Sequence, residues 1–192
     1  KTLVSALVGF LVIVVAVGGF FVYQKNNAAK AVEFEAAALK FYYGTPAQQP
    51  LTNNERLNNA LDLFKKSYAA KKRSFIQLYV ANCYYELGRY DEAITALQEL
   101  SSRTTDTRLT SLAQYRTAMA YARKSDFDKA LNIFSDIEKT KNSPFRDMAL
   151  IESAKILELV GKQVEAKEKY KRLVSEFPKS PLANEAAAKI KN

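Results

Sequence analysis

The sequence predicts an all-α protein, with an N-terminal transmembrane helix followed by a solenoid of helical hairpins. Three observations predict it. Leu3 to Tyr23 carries no charged side chain. Beyond it, small and apolar residues recur at helical spacing in a unit of 36 to 37 positions. Gly (6) and Pro (5) are scarce while Ala, Leu, Lys and Glu dominate, which favours helix over strand or coil. The 192 residues suffice for one ordinary domain plus a membrane segment.

The first element, residues 1–25, reads as the membrane helix. Twenty-one residues from Leu3 to Tyr23 rise by about 1.5 Å each and so span about 30 Å, the thickness of a bilayer core. Val and Ile lower helix propensity in water. In lipid a single segment has no other way to satisfy its backbone groups. Phe20, Phe21 and Tyr23 gather at one end, where aromatic rings favour the interface. The apolar run exceeds the 7 to 15 residues or so of a cleaved signal peptide, so a retained anchor is expected. Ser5 and Gly9, four residues apart, form a small-residue face that could admit a second helix. Lys25 and Lys30 follow the span and only Lys1 precedes it, a flank count that alone would hold the large domain in the cytoplasm. The chain begins at Lys1 rather than Met, so further residues are expected upstream, and these would change that count.

The second region, residues 26–73, reads as a linker helix and a first, loosely matching hairpin. Ala28 to Tyr43 is amphipathic, with Val32, Ala36, Leu39 and Tyr43 on one face. A polar, proline-containing loop from Gly44 to Thr52 follows. Leu57, Ala60 and Phe64 then open a second helix.

The third region, residues 74–192, holds three aligned copies and a closing helix. The copies are Ala81 to Ile94, Ala118 to Leu131 and Ala154 to Lys167. Ala93, Ala130 and Ala166 lie 37 and 36 apart, and Ala60 lies 33 before Ala93. In each copy a small residue (Ala81, Ala118, Ala154) lets the two helices approach. Gly88, Ser125 or Gly161 then ends the first helix. The second alanine sits at the helix crossing, and Leu97, Phe134 or Tyr170 fills the space one turn later. Pro178 stops the last copy, and Ser180-Pro181 supplies a cap and a first-turn proline for a closing helix.

This pattern resembles the tetratricopeptide repeat. The matching residues are Ala81, Tyr84, Gly88, Tyr90, Ala93 and Leu97, then Ala118, Tyr121, Phe127, Ala130 and Phe134, then Ala154, Leu157, Gly161, Ala166, Tyr170 and Pro178. It departs from the family in lacking the early tryptophan, where Gln77, Gln114 and Leu150 stand, and in units two or three residues longer than usual. The order of apolar span, Ala-rich helix, polar loop and repeats is similar to the YfgM-like family of bacterial inner-membrane proteins, ancillary subunits of the Sec translocon. That resemblance implies an N-terminus inside and a periplasmic repeat domain, opposite to the flank count.

The inventory bounds the chemistry. Histidine is absent, which excludes histidine-based triads and histidine-ligated metals. The single cysteine, Cys83, lies among Val80, Ala81 and Tyr84, and reads as a buried, inert thiol. No phosphate-binding glycine loop appears. Glu33 and Glu35 stand two apart on a helix and so point apart, while Asp91-Glu92 sits at a helix start, where it favours the dipole. No catalytic residue, cofactor or metal is expected. The formal charge of +9 is spread along the chain apart from Lys71-Lys72-Arg73, unlike the concentrated face of a nucleic-acid binder, and attraction to anionic headgroups is the next use for such a surface.

What remains is binding. In such solenoids the first helix of each repeat lines the inner face. Helical spacing places there Phe75, Leu78, Asn82 and Tyr85, then Leu112, Tyr115, Met119 and Arg123, then Met148, Ile151, Lys155 and Glu158. Aromatics, methionine and cations suit adaptable peptide contact. The repeat resemblance includes a subfamily that clamps a peptide's terminal carboxylate; Asn82 would fit that clamp, but Leu78 and Tyr115 hold its companion positions, so no clamp is expected. The expected partners are proteins of a membrane complex, the Sec translocon and periplasmic chaperones under the family resemblance, with lipid bilayer around residues 3–23 and no nucleic acid. The alternative is a structural or scaffold subunit of another bacterial envelope complex.

Overall fold

The computed structural model describes residues 2–44 and 51–191, with side-chain surroundings described from Gly9 onward. Among the described residues all regular structure is helical: α1 (Thr2–Tyr43), α2 (Asn53–Ala70), α3 (Ser74–Glu86), α4 (Tyr90–Arg103), α5 (Thr107–Arg123), α6 (Phe127–Lys139), α7 (Arg146–Leu159), α8 (Gln163–Glu176) and α9 (Ala183–Lys191). The chain divides into two compact units, Lys1–Ile76 and Gln77–Asn192. The division falls after the third residue of α3, between Ile76 and Gln77, rather than between residues 73 and 74.

In the first unit α1 runs unbroken from the apolar segment into the Ala-rich stretch, so the helix does not stop near residue 25. No proline interrupts it, and Gly18 and Gly19 cost too little to break a run of this length. Its described apolar side chains from Phe10 to Tyr23 are 48 to 67% exposed. Ala31 and Ala38, by contrast, are fully buried where α2 packs. The pair is antiparallel. Arg56, near the start of α2, donates to the carbonyls of Phe41 and Tyr42, and Ser67, near its end, donates to that of Ala31 at 2.8 Å. Leu57, Ala60, Leu61 and Phe64 fill the seam. A reciprocal capping box starts α2: Glu55 N–H donates to the Thr52 hydroxyl, and Thr52 N–H donates to the Glu55 carboxylate at 2.8 Å. The loop expected from Gly44 to Thr52 lies outside the described residues between positions 45 and 50.

The second unit stacks hairpins α3/α4, α5/α6 and α7/α8, closed by α9. The turns fall at the three anticipated residues, each left-handed: Gly88 (φ 74°), Ser125 (φ 60°) and Gly161 (φ 79°). One residue later a backbone N–H reaches back five positions each time: Arg89 to Tyr84, Asp126 to Tyr121 and Lys162 to Leu157, at 2.8 to 3.0 Å. That bond closes the end of a helix only if the preceding residue is left-handed, which is why glycine recurs there. Ala93 and Ala130 are 0% exposed and Ala166 1%, as expected of residues at helix crossings. Phe134 and Tyr170 sit in the core one turn on. Gln77, at the place of the missing tryptophan, is buried and donates to Glu99 at 2.8 Å, tying α3 to α4 through a polar contact. Cys83 is buried.

A charged cluster pins α6 to α8. Glu138 is 4% exposed. Its carboxylate accepts from Lys169 Nζ (2.7 and 2.8 Å), Arg172 Nη1 (2.9 Å) and the Ser153 hydroxyl (3.2 Å). Nothing in the sequence pattern marks this pairing, whose members are 31 and 34 residues apart.

Candidate functional site

The first helices of the second and third hairpins leave a cleft of about 290 Å³, lined by Met119, Ala122 and Arg123 of α5, Phe127 of α6, and Glu152, Lys155, Ile156 and Leu159 of α7. The spacing Met119, Ala122, Arg123 is one face of a helix, and Glu152, Lys155, Ile156, Leu159 is another, so the two stripes meet across the gap.

Charge in the cleft is asymmetric. Arg123 Nε donates to the Tyr85 hydroxyl at 3.1 Å, and that bond holds the guanidinium above its already high range. Its bonded partner is thus a hydroxyl, and among the described residues no carboxylate forms an ion pair with it. Lys155 is bound to Glu185 at 3.0 Å and Glu152 at 3.4 Å. Burial works against its charge, but those two carboxylates outweigh it and hold the ammonium above its usual range. Lys155 therefore ties α7 to α9, while Arg123, held by Tyr85, sets a guanidinium on the cleft wall. Tyr85 also packs edge-on against Tyr90, with ring centroids 5.4 Å apart, which fixes the hydroxyl that orients Arg123.

The predicted binding residues of the repeats separate into four groups. Met119, Arg123 and Lys155 line the cleft, and Tyr85 supports it. Leu78, Asn82, Leu112, Met148 and Glu158 are half-buried. Phe75, in the first unit, is 40% exposed beneath the Arg73 guanidinium, which lies 4.9 Å from its ring centre. Tyr115 and Ile151 belong to the core instead. Tyr115 is 8% exposed, stacks on Phe145 at 5.4 Å and meets Phe134 at 5.9 Å. Burial, with the nearby charge of Glu152, pushes its hydroxyl up to about 12. Ile151 is 1% exposed among Leu150, Ala154 and Tyr170. Neither offers a partner usable surface. Gly9 lies on the exposed surface of α1, and the side chain of Ser5 lies outside the described ones.

Two further depressions differ in chemistry. One, of about 380 Å³, is bordered by Glu158, Gln163, Lys167, Tyr170 and Lys189. There Tyr170 donates to Glu158 at 3.1 Å and Lys189 to the same carboxylate at 2.9 Å, so the polar groups satisfy one another. The other, of about 470 Å³, is lined by Gln98, Ser101, Ser102, Gln114, Thr117, Ile133 and Asp136, without an aromatic or a cation. Among the described residues no cluster of three metal-ligating side chains occurs.

Stacked hairpins with left-handed turns and buried alanines at each crossing define a helical-repeat protein. The chain belongs to the tetratricopeptide repeat-like domain family, whose model matches residues 2–191. Solved structures share the fold at low identity. YrrB, described as a TPR protein with an unusual peptide-binding site, is 18% identical with a TM-score of 0.55, over 70% of this chain and 67% of that one. MamA of AMB-1 is 15% identical with a TM-score of 0.58, over 84% and 79%. A putative kinesin light chain of Podosopora anserina with nearly identical TPR-like repeats is 16% identical with a TM-score of 0.61, over 85% and 84%. No curated protein matches the sequence.

Proposed function

We propose that the chain is a membrane-anchored protein-interaction module whose α5–α7 cleft receives an extended segment of a partner protein. One observation carries the anchored half. α1 is a single helix whose exposed apolar stretch, long and apolar enough to cross a bilayer, continues without a joint into a helix packed on α2. In water those exposed Val, Ile and Phe side chains would be a liability; in lipid they are solvated. The cleft supports the binding half. Met119, Phe127 and Leu159 supply adaptable apolar contact, and Arg123 supplies a cation for a backbone carbonyl or an acidic side chain. The peptide-binding site named for YrrB is in keeping with this reading.

The order of span, Ala-rich helix, loop and repeats, similar to that of the YfgM-like family, supports a position in the bacterial inner membrane with the repeats on the periplasmic side. There it serves as an accessory subunit of the Sec translocon, contacting emerging chains or periplasmic chaperones. Copurification with mass spectrometry from gently solubilised membranes tests the assignment. Recovery of the translocon's own subunits at stoichiometric levels supports it. Recovery of a different envelope assembly replaces it with a scaffold role there. Protease added to intact spheroplasts should remove the repeat domain; protection until lysis would place that domain in the cytoplasm.

A further inference from the structure

The first unit carries nine basic and four acidic side chains between Gln24 and Ile76, and so five of the chain's nine net positive charges. The fold collects part of that excess at one level. The antiparallel register sets Arg56 against Phe41 and Tyr42, and Ser67 against Ala31. Continued by a turn, it brings Lys71 and Lys72, just past the end of α2, level with the stretch of α1 around Asn27. That is about four residues, or about 6 Å, beyond Tyr23, where the exposed apolar surface ends. Lys25, Lys30, Lys66, Lys71 and Lys72 are all exposed. The acids nearby do not cancel them. Glu35 is taken by Arg73 in an ion pair, which leaves Glu33 exposed on α1 and, further from the span, Asp62 exposed on α2 one turn before Lys66.

The geometry points to a headgroup-binding collar: the α2–α3 turn, through Lys71 and Lys72 together with Lys25, grips anionic phospholipid at the membrane surface. The inference rests on the anchored reading of α1. The anchor fixes the height of the collar, because α1 passes from the span to the α2 contact without a flexible link. Lysines at that height face headgroups within a Debye length, where anionic lipid attracts each of them. Lys71 is extended (φ −150°, ψ 112°), and its N–H is already satisfied by the Ser67 carbonyl, so its side chain is available without disturbing the cap.

The test uses the full chain reconstituted in phosphatidylcholine vesicles containing 30% phosphatidylglycerol. Insertion is scored by flotation after alkaline carbonate. Headgroup preference is scored from the motionally restricted fraction of spin-labelled phosphatidylglycerol against spin-labelled phosphatidylcholine. The wild type should prefer phosphatidylglycerol, less so as salt rises. Lys71→Gln with Lys72→Gln should float normally and lose that preference by about 5-fold or more, the scale set by surface attraction per lysine. Lys162→Gln with Lys167→Gln, an equal charge change among exposed residues of the second unit, should leave it unchanged. A collar variant that floats and keeps wild-type preference overturns the inference and leaves the anchor standing. A wild type extracted by carbonate overturns the anchor, and the collar with it.

Discussion

Removing the two cations around Glu138 should harm the protein far more than removing Glu138 itself. The asymmetry comes from burial: the Glu138 side chain is 3% exposed, whereas those of Lys169 and Arg172 are 23% and 39% exposed. Glu138→Met deletes the charge from the interior. Lys169 and Arg172 keep access to water, and Arg172 keeps Glu176 at 3.0 Å. Replacing a buried ion cluster by an apolar side chain of similar volume is close to neutral, so the cost should be about 1 kcal/mol or less. Lys169→Met with Arg172→Met leaves a carboxylate in the interior with only the Ser153 hydroxyl near it. Stranding a buried charge costs about 3–5 kcal/mol. The triple variant should recover most of that loss, because the stranded charge is gone. Urea unfolding of the full chain in micelles, followed by helical circular dichroism, measures all three. At about 2 kcal/mol per molar, the double variant should shift its midpoint by roughly 1.5–2.5 M. A double variant no less stable than Glu138→Met, or a triple variant as unstable as the double, would refute the claim that the carboxylate is the buried member.

Three further outcomes follow from the fold. Ala130→Leu should cost about 1–3 kcal/mol by overpacking a fully buried crossing, read as a lower thermal midpoint. Ser125→Gly should stabilise by about 0.5–1 kcal/mol by relieving a left-handed serine, while Gly161→Ala should destabilise by about 1 kcal/mol, and equal effects of one sign would contradict the turn geometry. Tyr115 is raised from 10 to about 12, so the unfolded chain loses that proton first and stability falls between those pH values. Thermal midpoints over that range should therefore drop more steeply for the wild type than for Tyr115→Phe.

Much of the repeat region was legible because its physics is local. Small residues at 36 to 37 spacing and left-handed turn residues one step before Arg89, Asp126 and Lys162 prescribe hairpins whatever surrounds them. The capping signature Thr52-Asn53-Asn54-Glu55 was also present, at the edge of a stretch read as loop. The α1 boundary was not legible: a change of composition at Gln24-Lys25 marks where lipid would end, not where a helix ends. The lining of the α5–α7 cleft was half legible. On α7 the chosen stripe of Met148, Ile151, Lys155 and Glu158 is turned about 100° at one position, because residues 151 and 152 differ by a single helical step. The cleft takes Glu152, Lys155 and Leu159, and Ile151 faces the core. Hydrophobic spacing favoured Ile151 as an apolar contact, whereas burial rewards the same property. Tyr115 failed similarly: an aromatic at the right spacing packs on Phe145, a loop residue whose position no period predicts. The Glu138 cluster joins helices through contacts more than thirty residues apart and left no trace in the pattern.

The central claim is that a partner chain lies in the α5–α7 cleft of a membrane-anchored module. Placing a photo-crosslinking amino acid at Met119 in the full chain, in growing cells, tests it directly, with the same residue at exposed Lys141 as the comparison. The account predicts a discrete crosslinked product from position 119, in the membrane fraction, containing a translocon subunit or an emerging chain, and abolished by Arg123→Glu. Equal products from both positions, or a product at 119 that Arg123→Glu leaves untouched, would contradict it.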